Sequence, residues 1–320
     1  MKIEGQSELQ QQERLKNSQT GVLFVVAHPD DEVIGAGGSL LSRFHDTHVV
    51  HVTDGAPANR LDAQQAGFTT RDDYAEARRR EAVAALTLAG ITEDRVIELG
   101  VNDQQSSYQL LPIAFRLAEL FDELKPELVI TQPYEGGHPD HDATAFAVHY
   151  ARRLLNQNAT APELFEMTSY HRREERVVYS DFLPHEGRNP LTFALTDPQK
   201  TLKQRMFDCF QTQREVLRWF PIEIERFRPA PAYDFKQPPH AGRLHYEHFD
   251  WGVTKENWLR LARQASESLE QGGKHDARSF ERGISAITGR SRRGGWSRTD
   301  PDVPRRRTGR GRSSFNSGCV

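Results

Sequence analysis

The densest chemical potential in the chain lies in "VVAHPDDEVIGAGGSL", residues 25–40. His28, Asp30, Asp31 and Glu32 fall within five residues, at the end of an apolar run. Adjacent carboxylates repel one another, and taking even one out of water is costly. A positive partner is expected, and a divalent cation is a compact one. His28 and Asp31, three apart where a strand turns into a helix, can reach a single ion. A second segment, "PYEGGHPDHD" at residues 133–142, offers His138 and His141 at the same spacing. Two imidazoles and one carboxylate make a nitrogen/oxygen set suited to zinc, with a position left for water, and the same set accepts iron(II). The other polar groups then acquire roles. Asp30 is placed to act as general base on water. Asp140 is placed to orient an imidazole by accepting its N–H. Whichever histidine does not bind metal can donate to a developing oxyanion, and Glu32 can cap the helix that follows.

These groups need elements to hold them at one place. Residues 21–28, "GVLFVVAH", are β-branched and aromatic, as in a strand buried on both faces of a parallel sheet. Further strands are predicted at 47–55, 94–101 and 127–134. Helices are predicted at 34–44, 71–89, 110–124 and 142–155. Strand and helix alternate four times, which implies a mostly parallel sheet in a Rossmann-like three-layer α/β/α fold. Ligands in such sheets gather beyond the C-terminal strand ends, where both motifs sit. Downstream, two strands are predicted within 163–183 and a helix over 197–219. An ordered loop or hairpin layer over 221–248 and a last helix over 251–269 follow. His240, His245 and His248, with Tyr246, Phe249 and Trp251, could wall the site, with simple packing the favoured role for the aromatics.

The composition, 37% hydrophobic and 27% charged, is that of an ordinary soluble protein. No apolar run reaches the ~18 residues of a membrane span. The start of the chain has no apolar core like that of a signal peptide. Cys209 and Cys319 are too widely separated for a disulfide framework or a thiolate zinc site, so a reducing cytoplasmic setting is expected. Residues 274–320 carry 12 Lys and Arg against 4 Asp and Glu, which leaves the first 273 residues of this net −3 chain at −11. The expected organisation is a disordered lead-in at 1–19, a catalytic domain at 20–272 and a basic, disordered tail at 273–320. An acidic body argues against a nucleic-acid partner, and the tail lacks the interleaved aromatics of a base-stacking platform.

"AHPDDE" followed by "GGSL", then "VTDG" and a distal "HPDH", resembles the LmbE/PIG-L family of zinc-dependent deacetylases. "RRREAVAALTLAGI", "LGVND" and "FQTQREVL" extend the likeness from about residue 21 to about 219. The resemblance implies removal of an acetyl group from an N-acetylglucosamine unit of a small-molecule or glycan conjugate. It implies His28, Asp31 and His141 as metal ligands, Asp30 as general base, His138 as the oxyanion-stabilising histidine and Asp140 as the residue that tunes it. Arg78 and Asp103 fall where the family contacts sugar hydroxyls. The chain departs from the pattern at Gly136, where some members carry a tyrosine; Tyr134 lies two residues earlier.

Other readings weigh less. A dinucleotide loop needs GxGxxG directly after the strand; Gly35 and Gly37 fit, but Leu40 occupies the third position. A two-His-one-carboxylate iron enzyme built on His28, an Asp and His141 usually belongs to antiparallel barrels. A non-catalytic sugar-binding domain with an anionic-polymer-binding tail would not need the full set of catalytic groups present here.

Overall fold

A computed structural model describes residues 8–17, 19–155 and 161–272. The unbroken apolar run of β1 (Gly21–Val26) lies in the middle of a seven-stranded sheet. Its neighbours are β2 (Asp46–Pro57) and β4 (Leu128–Thr131), both parallel to it. β3 (Val96–Asp103) extends the sheet beyond β2, and β5 (Glu163–Met167) extends it beyond β4, again in parallel. Two further strands, β8 (Leu191–Ala194) and β9 (Ile224–Pro229), close the far edge antiparallel, giving the order β3-β2-β1-β4-β5-β9-β8. A separate hairpin pairs β6 (Tyr170–Arg173) with β7 (Arg176–Tyr179).

The helices in chain order are α1 (Glu8–Lys16), α2 (Asp31–Ala36), α3 (Leu61–Gln65), α4 (Arg71–Leu88), α5 (Leu110–Leu124), α6 (Pro139–Leu154), α7 (Asp197–Cys209), α8 (Arg214–Leu217) and α9 (Lys255–Gly272). Side-chain alternation along the strands divides them into two layers. Leu23, Val25, Val50, Val52 and Val129 pack with α5, α6 and α9. Val22, Phe24, Val26, Leu128 and Ile130 pack with α2, α4 and α7. The three-layer α/β/α expectation holds. From β1 the chain moves to β2 on one side and reaches β4 on the other, so a crevice opens between the C-terminal ends of β1 and β4.

Several boundaries differ from the sequence-based expectation. α2 stops at Ala36 instead of running to residue 44, because Gly37 and Gly38 follow within one turn. α6 begins at Pro139, three residues early, so "HPDH" is itself a helix start. The helix expected over 197–219 breaks after Cys209, where Glu81 of α4 accepts the Thr212 backbone N–H at 3.0 Å and its hydroxyl at 2.5 Å. β8 and β9 come from segments not read as strands of the main sheet. Glu8–Lys16 is helical rather than a frayed lead-in; Leu15 is fully buried and Arg14 pairs with Glu127 at 3.1 Å. No helix among the described residues is long and apolar enough to cross a membrane. All described residues belong to one compact unit; the expected basic tail lies outside the described residues.

Candidate active site

Two turns build the site, and each is shaped by its own side chains. After β1, the Ala27 N–H donates to Gln132 Oε1 at 2.8 Å, tying this turn to the one after β4. Asp30 then adopts φ 141° and ψ −27°, a conformation a non-glycine residue holds only where its surroundings force it. Its carbonyl accepts from the Val33 and Ile34 N–H groups at 3.0 and 2.9 Å, so Asp30 is the N-cap of α2. Glu32 completes the turn: its Oε2 accepts the Asp30 N–H and meets His51 Nε2, both at 3.2 Å. At Gly35 any Cβ would collide with Met167 of β5, which explains the glycine.

After β4, Asp142 Oδ1 accepts the N–H groups of Glu135 and Gly136 at 3.2 and 3.0 Å. A Cβ at Gly137 would strike the Tyr170 carbonyl. Pro139 then opens α6 in the first-turn position that tolerates proline. His138 is the N-cap, and its Nδ1 accepts the Asp140 N–H at 3.2 Å.

These turns bring His28, Asp31 and His141 together. His28 Nδ1 lies 3.1 Å from Asp31 Oδ2 and 3.3 Å from His141 Nε2, and His141 Nε2 lies 3.3 Å from Asp31 Oδ1. Tetrahedral ligands about 2.0–2.1 Å from zinc stand ~3.3–3.4 Å apart by the same geometry. The three side chains therefore fit a small divalent ion, and all are buried. Two overlapping groups also place one ligand atom per residue within 4.8 Å: His28, His138 and His141, and His28, Asp103, His138 and Asp140. Both the His28–Asp31–His141 set and the larger of these groups include a carboxylate that is already engaged, since Asp31 Oδ2 accepts the His28 backbone N–H at 2.8 Å. Asp140 already accepts the N–H groups of Gln104 at 2.6 Å and Ser106 at 3.0 Å.

Asp103 meets His28 Nε2 at 3.1 Å, the outer contact that fixes a ligating imidazole with its other nitrogen turned inward. Asp140 Oδ2 is 3.5 Å from the same nitrogen and 3.9 Å from His138 Nδ1, beyond hydrogen-bond range of the histidine it was expected to orient. Arg78 is buried and donates to Asp30 Oδ2 at 2.9 Å, to the Pro29 carbonyl at 2.9 Å and to the Gly55 carbonyl at 2.7 Å. The carboxylate that touches both His28 and His141 is that of Asp31; the Asp30 carboxylate faces Arg78.

Burial raises the Asp30 carboxyl to about 7, against the pull of Arg78. Against the same desolvation, His141 and His28 hold Asp31 well below the ordinary carboxylate value. Burial, and then His28, keep the His138 imidazole well below its ordinary value, so His138 is neutral. Because its Nδ1 accepts the Asp140 N–H, the ring proton of neutral His138 sits on Nε2.

The site opens into a pocket of about 200 Å³. It is lined by the expected ligands, catalytic and sugar-contact residues except Asp140, and also by Tyr170, Gln213, Phe220 and Trp251; of the expected wall only Trp251 reaches it, and His240, His245, Tyr246, His248 and Phe249 do not. Trp251, expected in a wall over the site, packs its ring 4.5 Å from that of His138. Tyr170 was not anticipated. It stands edge-on to His141 with ring centroids 5.4 Å apart, on a hairpin with no distinguishing sequence signal. Gln213 reaches the pocket only because the α7–α8 break turns it inward, where it donates to the Tyr74 hydroxyl at 2.8 Å.

Residues 23–151 match the PIG-L family model, described as GlcNAc-PI de-N-acetylase. Over 163 residues, 50% of this chain and 72% of the relative, the sequence is 31% identical to "Probable N-acetyl-alpha-D-glucosaminyl L-malate deacetylase 2" of Bacillus subtilis (strain 168). Over 144 residues it is 30% identical to the 1D-myo-inositol 2-acetamido-2-deoxy-alpha-D-glucopyranoside deacetylase of Mycobacterium sp. (strain KMS), where the match spans 47% of the relative, about half its length. The fold is similar to the crystal structure of antimicrobial reagent A40926 pseudoaglycone deacetylase, with TM-score 0.52 and 21% identity, over 68% of this chain and 99% of that one.

Proposed function

This chain belongs to the PIG-L family, and on that footing we propose that it is a metal-dependent deacetylase acting on an N-acetylglucosamine-type amino sugar within a larger conjugate. The observation that carries the reading is the convergence of His28 Nδ1 and His141 Nε2, 3.3 Å apart, on the two oxygens of Asp31 at 3.1 and 3.3 Å, next to the strained Asp30. His28, Asp31 and His141 would hold the ion, with zinc preferred and iron(II) compatible. Such an ion supplies Lewis-acid polarisation of an amide carbonyl and acidifies water.

The protein's own groups do the rest. Asp30, on its strained turn and held by Arg78, accepts a proton from the water whose oxygen attacks the acetamide carbonyl carbon. His138 donates its Nε2 proton as a hydrogen bond to the resulting oxyanion. The carbon–nitrogen bond then breaks. Asp30 returns its proton to the departing nitrogen, and acetate and a free amine leave. Asp103 keeps His28 in its ligating tautomer, and Asp140 anchors the start of α6 on the loop after β3. Arg78 and Asp103 line the pocket where a sugar would lie. The cytoplasm is the expected compartment, on cysteine usage alone.

The test is acetate and amine release from N-acetylglucosamine conjugates by wild type and Asp30→Asn. The variant should retain its metal and lose about 10²–10⁴-fold in kcat, the usual contribution of a positioned general base. A fully active Asp30→Asn enzyme would show that the base is misassigned.

A further inference from the structure

Five large apolar side chains are exposed among the described residues: Leu61 at 54%, Tyr108 at 46%, Val216 at 47%, Trp219 at 56% and Phe249 at 47%. They come from four separate stretches of chain, and three of them, Val216, Trp219 and Phe249, stand in or beside the lining of the same pocket. Val216 lines it directly. Trp219 lines a bordering cavity that shares Phe220 with this pocket. Phe249 stacks on Trp251 with centroids 4.4 Å apart and planes 10° from parallel. The Tyr108 hydroxyl donates at 2.9 Å to the carbonyl of Gly252, the residue after Trp251. The stack Phe249–Trp251–His138 thus runs from solvent to the catalytic histidine.

Scattered exposed apolar residues need no explanation, but their gathering at one opening does. The second large cavity, about 530 Å³, borders this rim and shares Phe220 and Leu217's helix with it; Trp219 and Phe210 line its apolar side. Charges of both signs surround the opening, with Asp62, Asp103 and Arg78 in the pocket and Arg214 and Arg218 in the bordering cavity, so the exposed apolar surface is the feature that selects an occupant.

Resting on the deacetylase reading, we propose that the rim is an aglycone site and that the substrate is an amino-sugar conjugate with an apolar aglycone. The sugar occupies the polar floor of the pocket. The aglycone leaves across Val216 and Trp219 on one side and the Phe249–Trp251 stack on the other.

The test is kcat/KM for amine release across methyl, butyl, hexyl and benzyl 2-acetamido-2-deoxyglucopyranosides, with the inositol conjugate as a polar comparison. The value should climb from methyl to hexyl, by up to about fourfold for each methylene that is buried. The double variant V216S/W219A should lower the hexyl-to-methyl ratio by about tenfold. Phe249→Ser, on the other side of the mouth, should lower it as well. A flat series with good turnover of the methyl glycoside overturns the aglycone site and leaves the deacetylase standing. Amine release from no member overturns both. A flat series together with phosphatidylcholine-vesicle binding that V216S/W219A abolishes gives the rim to a membrane and overturns the proposal.

Discussion

Glu135 and His138 are three residues apart on one turn, yet they belong to buried ionic clusters of opposite character. Around Glu135 two carboxylates share one guanidinium. Arg228 donates to Glu166 Oε2 at 2.8 Å, Glu135 Oε1 at 3.1 Å, the Leu183 carbonyl at 2.7 Å and the Tyr233 hydroxyl at 3.1 Å, and its guanidinium lies over the Phe182 ring. Around His138 the balance differs. Asp30, Asp31, Asp103 and Asp140 gather with three histidines, and the nearby cation, Arg78, is spent on Asp30 and two carbonyls. His28, Asp31 and His141 turn acceptor atoms toward one point. In the first cluster both carboxylates reach the guanidinium, whereas in the second only Asp30 does, and under the proposed function a divalent ion would compensate Asp31.

Substitutions in the two clusters should therefore fail in different currencies. The largest effect is the loss of about 10²–10⁴-fold in turnover for Asp30→Asn described above, from a protein that still folds and holds metal. Next is Arg228→Met, which strands Glu135 and Glu166 in a dry interior. Chemical denaturation should register a loss of about 3–5 kcal/mol. A cost below ~1 kcal/mol would mean that the cluster is wetter than it looks.

Asp103→Ala should act between these extremes. It leaves the three ligands in place but frees the outer nitrogen of His28. Competition with a chelator should show metal affinity weakened by about 10–100-fold. Unchanged affinity would return Asp103 to the sugar-contact role that its sequence context suggests.

The smallest effect concerns pH. His149 on α6 is buried beneath Tyr233 and Phe235, and its Nε2 has no hydrogen-bond partner. Burial, then Arg153 and Arg152, lower its pKa from 6.5 to about 3. Within that window the unfolded chain binds the extra proton, so stability is fully present above pH 6.5 and falls as the solution is acidified. The expected slope is about 1.4 kcal/mol per pH unit. His149→Gln should remove that part of the acid sensitivity, read as folding free energy at pH 7 and pH 5.

The contrast between the clusters also marks what the sequence made legible. Local signals pointed to the residues proposed as ligands. His28 and Asp31 sit at the end of an unmistakable buried strand, and "HPDH" carries its own spacing. Helix 110–124 was placed to the residue because its apolar face repeats cleanly and it stops before Pro126. Long-range pairings were not legible. Asp103 meets His28 across 75 residues, and β2 slips register against β3 twice before Pro57 pairs with Asp103. The break between α7 and α8 depends on Glu81, 131 residues away from Thr212, and it is this break that turns Gln213 to the pocket. Tyr170 arrives on a four-residue strand whose position is set by a glycine in another turn. In each case a tertiary partner overrode or supplied what periodicity lacks.

Metal stoichiometry across three purified proteins tests the central claim most directly. Elemental analysis and titration of wild type should find one tightly held divalent ion per chain. Asp30→Asn should retain it, and Asp31→Asn combined with His141→Ala should lose it. A wild type that binds no ion, or a double variant that binds as well as wild type, would contradict the shared site of His28, Asp31 and His141.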